Sequence, residues 1–429
     1  MVLDTTVGYD GKTVITVNGK SPGPELRLRV GERANVRVYN RMKTPTVVHW
    51  HGMSQRGTPE SDGVPGVTQL PIDPGDSYLY SFTPETAGTF WYHSHWDVQR
   101  VDGLYGPLII TGGSERVGFS GPPAGDPLMW MISDWYDLGA DSMLEWFKSP
   151  ASQGEEPTPD RVDVNGEFSG RVFSGCPRRT SIRLINVAAI NAYNVSFGVP
   201  MTVREIDGFA VAPMVLPWVV LDIAQRVVVD VDVATNVSVT VKAMSKRGDR
   251  VLSTSAKLRG DMVFFDALWQ ATLVPSGDAS AQVPAAIVSE DLTPIPNATF
   301  ELKLFLDKGL MNGSIYTPID DGIALGTYAR AMDSVVPQNA VVDLNFTNLQ
   351  EGVAHPIHLH GHWFWIVAMS SDGEDATTAV GVRRDVISVP GSSWVVVRFV
   401  ADNPGVWMLH CHIMWHARMA RLLYETGTW

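Results

Sequence analysis

The sequence predicts an all-β chain built from sandwich or barrel units. Short runs rich in β-branched and aromatic residues recur along it, broken by Gly, Pro, Asn and Asp. Few stretches hold a 3.6-residue period. A length of 429 residues, at roughly 150 residues per domain, suggests about three domains.

Taken in order, Thr13–Asn18, Ala34–Tyr39, Tyr78–Phe82 and Leu108–Thr111 read as early strands. Ser142–Lys148 reads as a short helix. Ser181–Asn186, Arg226–Val233, Asn236–Val241 and Trp394–Val400 read as later strands. Turn signals stand at Pro74-Gly75-Asp76, Pro390-Gly391 and Asn403-Pro404-Gly405. Two segments read as linkers: Gly112–Pro127, rich in Gly, Pro and Ser, and Pro275–Pro296, with Ser, Ala, Pro and acidic residues. They divide the chain into 1–114, 125–275 and 290–429.

Composition excludes several classes. Hydrophobic residues make up 45% and charged residues 18%, as in a globular chain. A net charge of -13 with no Lys/Arg run argues against a nucleic-acid partner. No apolar stretch reaches the roughly 20 residues that span a bilayer, so no membrane partner is expected. Met1-Val2-Leu3-Asp4 has no basic-then-apolar leader region, which leaves an intracellular chain or a removed leader. Five sequons, at Asn194, Asn236, Asn297, Asn312 and Asn345, favour a secreted, glycosylated protein. Cys176 and Cys411 are the only cysteines, so this is no disulfide scaffold.

All 11 histidines fall in four short clusters: His49/His51, His93/His95, His355/His358/His360/His362 and His410/His412/His416. An internal repeat links the ends of the chain. Phe82-Thr-Pro-Glu-Thr-Ala-Gly88 precedes His93-Ser94-His95 as Phe399-Val-Ala-Asp-Asn-Pro-Gly405 precedes His410-Cys411-His412. Ser94 thus stands where the last unit has Cys411.

Side chains alternate faces along a strand. In His-x-His both imidazoles therefore point one way, about 7 Å apart. Four such pairs, two from each copied unit, bring together eight imidazoles. That is too many for one ion and suits about three. Cys411 points to the opposite face, and His355 has opposite parity to His358 and His360. With His416, five residues on, Cys plus two His is a blue-copper ligand set. A zinc hydrolase would use fewer His and an acidic group. His362 reads as supporting rather than ligating.

These motifs resemble the multicopper oxidases, in particular three-domain, fungal-type laccases. The resemblance rests on His49-Trp-His-Gly52, His93-Ser-His95, His355-Pro-Ile-His-Leu-His-Gly-His362 and His410-Cys-His-Ile-Met-Trp-His416. It extends to Ser61-Asp-Gly-Val-Pro-Gly-Val-Thr-Gln69, Asp102-Gly-Leu-Tyr-Gly-Pro107, Ser133-Asp-Trp-Tyr136 and Arg183-Leu-Ile-Asn186. It implies three consecutive cupredoxin-like Greek-key domains and four coppers. His355, Cys411 and His416 would hold type 1 copper, and His49 and His358 type 2. His51, His93, His95, His360, His410 and His412 would hold the type 3 pair. The implied activity is one-electron oxidation of phenols or aromatic amines, coupled to four-electron reduction of dioxygen to water. It further implies that Asp62 relays protons and Asp207 meets the phenol; for both, an Asp-Gly turn is the plainer reading. The expected setting is extracellular, and the expected state a monomer.

Three departures stand out. Met414 replaces an acid that often follows His-Cys-His-Ile, which leaves Asp62 to deliver protons and predicts slower turnover at high pH. Arg421 falls at the axial position, where a guanidinium cannot ligate copper. A local shift would bring Met419 or, in the preferred reading, Leu422 there; otherwise the site is impaired. Leu70 replaces a family cysteine, and Cys176 reads as a buried or free thiol. The nearest rival is a ferroxidase, which needs carboxylates beside His355 and His416. The one acidic group near in sequence, Asp372-Gly-Glu374-Asp375, reads as a solvated turn. Ascorbate or cuprous oxidation, and a copper-binding cupredoxin protein without turnover, are further alternatives.

Overall fold

The computed structural model describes residues 1–8, 11–112, 126–168, 171–233, 236–244, 264–275, 295–307, 310–311, 334–371, 374–376, 380–416 and 420–425. Most of both predicted linkers and Asn312 lie outside these residues.

Two four-stranded sheets form the first unit. One runs Thr13–Val17, Val2–Val7, Ala34–Asn40, Ser77–Phe82, and the other Leu26–Arg29, Tyr105–Thr111, Gly88–Ser94, Val48–His51. Ala34–Asn40 alternates buried and exposed residues, as a strand with one face on a core must. Leu3, Val17, Val38, Trp50, Tyr80 and Phe90 fill the space between the sheets. Trp50 is fully buried, and its truncation to Ala would cost about 3–5 kcal/mol. The Tyr80 hydroxyl accepts the Val48 N–H at 2.9 Å and so fixes the start of Val48–His51.

A nine-stranded sheet, from Leu128–Trp135 to Phe264–Pro275, forms the middle of the chain. Its core is rich in valine, with Val195, Val203, Val229, Val231, Val239 and Val241 all buried. The predicted helix is present as Ala140–Lys148. It buries Ala140 and Met143 in a cluster that also takes Trp91 from the first unit and Trp415 from the last. All three parts of the chain are therefore joined by one apolar core.

The last part has a seven-stranded sheet and a five-stranded one. The latter runs Ser334–Val336, Ala420–Glu425, Gly405–Cys411, His355–Leu359, Val386–Val389. The eight predicted strands are all present, with ends shifted by a few residues.

Candidate metal centre

Val48–His51 pairs antiparallel with Gly88–Ser94, so His49 stands opposite His93. His355–Leu359 pairs antiparallel with Gly405–Cys411, so His358 stands opposite His410. Paired residues share a face, and each strand pair therefore presents four imidazoles on one side. The two sets meet: His51 stacks on His358 with ring centroids 3.9 Å apart, and His49 lies 4.1 Å from His360.

The nitrogens gather in three triads, His49/His51/His358, His51/His93/His412 and His95/His360/His410. Within each, the candidate ligand atoms lie within 4.8 Å of one another. His49 Nε2, His51 Nδ1, His93 Nε2, His358 Nε2 and His412 Nε2 are buried without a hydrogen-bond partner. Buried polar atoms are rarely orphaned, and ring nitrogens grouped in two adjacent triads are what soft and borderline metals take. The donor set fits copper. Burial holds the His51, His93, His95, His358, His360 and His412 pKa values well below the usual range. It lowers His410 to about 4. The rings therefore stay neutral, with lone pairs available.

The other ring nitrogens are held by neighbours that fix ring orientation. His49 Nδ1 donates to Asp62 O at 2.6 Å, and His358 Nδ1 to Asp385 O at 2.8 Å. His93 and His410 donate to the carbonyls of Ser94 and Cys411 at 2.9 and 3.0 Å. His360 Nδ1 lies 2.9 Å from Asp62 Oδ2, and His51 Nε2 3.3 Å from Asp385 Oδ1. Asp62 is fully buried beside the cluster. The glycine after it allows this approach: Gly63 has φ +79°, and a Cβ there would collide with the Val48 carbonyl.

Asp207 stands in a different setting from the one the resemblance implied. It is 0% exposed. Its Oδ1 accepts the Arg226 backbone N–H at 2.8 Å, and its Oδ2 accepts Arg384 Nε at 2.6 Å. Both of its oxygens are thus occupied by arginine groups. Its φ of +48° marks the Asp-Gly turn of the plainer reading. Arg226 also forks onto Asp385, at 2.5 and 2.7 Å. A residue of the middle unit thus holds the carboxylate that faces His51.

On the opposite face of Gly405–Cys411, the Cys411 sulfur lies 3.6 Å from His355 Nδ1 and 3.7 Å from His416 Nδ1. All three residues are buried. Gln350 Oε1 faces His355 Nε2 at 3.2 Å, and Glu156 Oε1 faces His416 Nε2 at 2.5 Å. Burial opposes a charge on His416, but Cys411 and Glu156 outweigh it and raise its pKa to about 10. Across Ala420–Glu425, Arg421 stands opposite Leu409 and Leu422 opposite Met408. Met419 and the side chains of Arg421 and Leu422 lie outside the described residues. His362 packs on Phe399 and Trp407, at 4.9 and 5.9 Å between ring centroids, as a supporting residue would. Cys176 is buried outside any disulfide, and its thiol donates to the Phe173 carbonyl at 3.3 Å.

Sequence reasoning missed Glu156, Gln350, Asp385, Arg226 and Arg100. Asp385 meets His51 across 334 positions, and no local pattern announces such a contact.

Three family profiles described as multicopper oxidase match residues 2–115, 126–255 and 313–423. The iron transport multicopper oxidase FET3 of Candida glabrata is 30% identical, over 95% of this chain and 72% of that protein. Laccase-1 of Botryotinia fuckeliana is 30% identical, over 97% and 79%. The crystal structure of Fet3p, described as a multicopper oxidase that functions in iron import, superposes with a TM-score of 0.81 at 26% identity. That match covers 99% of this chain and 89% of the other.

Proposed function

The chain belongs to the multicopper oxidase family, and from that premise we propose a laccase-type oxidase that passes electrons from small phenols or aromatic amines to dioxygen. The family implies four coppers, one type 1, one type 2 and two type 3. In this reading His355, Cys411 and His416 hold type 1, and His49 and His358 hold type 2. His51, His93 and His412 hold one type 3 ion, and His95, His360 and His410 the other.

One observation carries it. A single strand end presents Cys411 between two imidazoles on one face, and His410 and His412 to the eight-imidazole cluster on the other. Copper bound there would supply the one-electron chemistry that side chains do poorly. The chain's own residues do the rest. Cys411 is covalently adjacent to His410 and His412, so the two groups share a backbone. Asp62, between His49 and His360, is the acid we assign to proton delivery, since Met414 offers none. Arg226 holds Asp385, and Asp385 orients His51. Asp207 is assigned to anchoring Arg226 and Arg384.

A second reading, Fe(II) as the donor, is favoured by Glu156. Its carboxylate, itself 2% exposed, meets the outer nitrogen of His416 and would draw a cation toward that edge. Oxygen uptake separates the two. The laccase reading expects uptake with a phenol in wild type and in Glu156→Gln, and little with Fe(II). Strong uptake with Fe(II), lost in Glu156→Gln while phenol turnover persists, would put the iron reading first. No uptake with either donor in copper-loaded protein would contradict both.

We further propose three cupredoxin units at 1–114, 125–275 and 290–429, working as an extracellular monomer. Asn194, Asn236, Asn297 and Asn345 are at least partly exposed and accessible to glycosylation. Among the described residues no helix is long and apolar enough to cross a membrane. A mass loss on enzymatic deglycosylation of protein from its native source is the expected result.

A further inference from the structure

Among the described residues, no member of the metal-ligand groups comes from the middle unit. Yet Arg226, from that unit, ends beside the cluster. It is fully buried, and its guanidinium touches all three units. Nε donates to the Thr89 carbonyl of the first unit at 3.3 Å. Nη1 donates to the Ala224 carbonyl of its own unit at 3.2 Å. Nη1 and Nη2 together fork onto Oδ1 and Oδ2 of Asp385, in the last unit, at 2.5 and 2.7 Å.

Asp385 in turn meets the cluster twice. Its Oδ1 faces His51 Nε2 at 3.3 Å, and its carbonyl oxygen accepts His358 Nδ1 at 2.8 Å. With those two nitrogens protonated, His51 Nδ1 and His358 Nε2 keep their lone pairs. These are the nitrogens buried without a partner. The two rings come from different units and stack with centroids 3.9 Å apart and planes 20° apart. One residue thus orients both. Gly52, next to His51, makes the room. Its φ is +90°, and a Cβ there would stand 2.5 Å from Phe90 and 2.9 Å from both Arg226 Nη2 and Asp385 Oδ2. A buried ion pair is a poor source of net stability, because desolvation offsets its attraction. What a two-pronged arginine–carboxylate fork fixes is geometry.

We propose that Arg226 is a positioning residue through which the middle unit holds His51 and His358 in their stacked register. The proposal rests on the reading of His51 as a type 3 ligand and His358 as a type 2 ligand. Loss of the fork should disturb those ions and spare the His355/Cys411/His416 site. Arg183 supplies the contrast. It also reaches the first unit from the middle one, but its hydrogen bond goes to Thr89 Oγ1. An arginine that only docks the units would behave like Arg183.

The test is copper content with visible and EPR spectra of the copper-loaded wild type, Arg226→Gln, Asp385→Asn and Arg183→Met. Wild type comes first: the lack of a type 2 signal beside an EPR-silent pair would overturn the ligand reading, whatever Arg226 does. With that spectrum present, Arg226→Gln should keep the blue band, shift the type 2 signal and make part of the silent pair visible. Asp385→Asn keeps an acceptor for His51 but loses the ion pair, and the same changes are expected, so either variant that folds decides. Arg183→Met should keep the wild-type spectrum. A fully loaded Arg226→Gln or Asp385→Asn with the wild-type spectrum would overturn the role of Arg226. So would an Arg183→Met whose spectrum changes as much.

Discussion

In the first unit His49 stands opposite His93; in the last, His358 stands opposite His410. The backbone beside each pair also corresponds: His95 N–H donates to Val47 O, and His412 N–H to Pro356 O. Three positions behind these strands differ in chemistry. Three residues before the first His-x-His stands Thr46 in one unit and His355 in the other. Between the second pair stands Ser94 or Cys411, and four residues beyond it Gln99 or His416. In the last unit the three gather as a thiol between two imidazoles. In the first they gather too: the Thr46 and Ser94 hydroxyls both donate to Gln99 Oε1, each at 2.7 Å. One fold thus builds the same three-point pocket twice. Three side chains decide whether it is a soft-metal ligand set or a closed hydrogen-bond triad.

The comparison breaks most visibly at Cys411→Ser, which gives the last unit the first unit's residue. The expected outcome is complete loss of the blue absorption and of oxygen uptake, with the eight-imidazole cluster still loaded. Copper analysis and a visible spectrum check it. Next in size is Asp62→Asn. It keeps the shape but removes the acid, and steady-state assays should show kcat lower by about 10²–10⁴. With Met414 supplying no acid, wild-type kcat should itself fall as pH rises, with a donor that does not ionise.

Smaller effects sharpen the contrast. Gln99→Ala leaves two buried hydroxyls in the first unit without their acceptor and should cost about 1–3 kcal/mol in chemical denaturation. The blue absorption should stay unchanged. In copper-free protein the two imidazole groups pull stability in opposite directions with pH. Cluster rings with depressed pKa values, such as His410 at about 4, bind fewer protons folded than unfolded. Their contribution is present above the unfolded value of about 6.5 and lost as pH falls below it. His416, raised to about 10, contributes fully below that unfolded value and loses its contribution as pH rises through 10. Urea titrations at pH 5, 7 and 10 should show both slopes.

Much of this was legible in the sequence because strand parity is a local rule. The spacing of His410, Cys411 and His412 dictates two faces whatever the rest of the fold does. The strand Tyr105–Thr111 is legible in the sequence only from Leu108, yet Tyr105, Gly106 and Pro107 pair with His93, Tyr92 and Trp91. The supporting residues were not legible. Asp385, Arg226, Glu156 and Arg100 reach their histidines from other parts of the chain, and only packing brings them there. Asp207 was likewise named from its motif alone, and its contacts with Arg226 and Arg384 were not legible there.

The most direct test is copper content together with visible and EPR spectra of the purified, copper-loaded protein. The ligand assignment predicts about four coppers per chain, a strong blue thiolate band, one additional EPR-visible ion and an EPR-silent pair. About three coppers without the blue band would contradict a working His355/Cys411/His416 site, and a single copper would contradict the cluster as well.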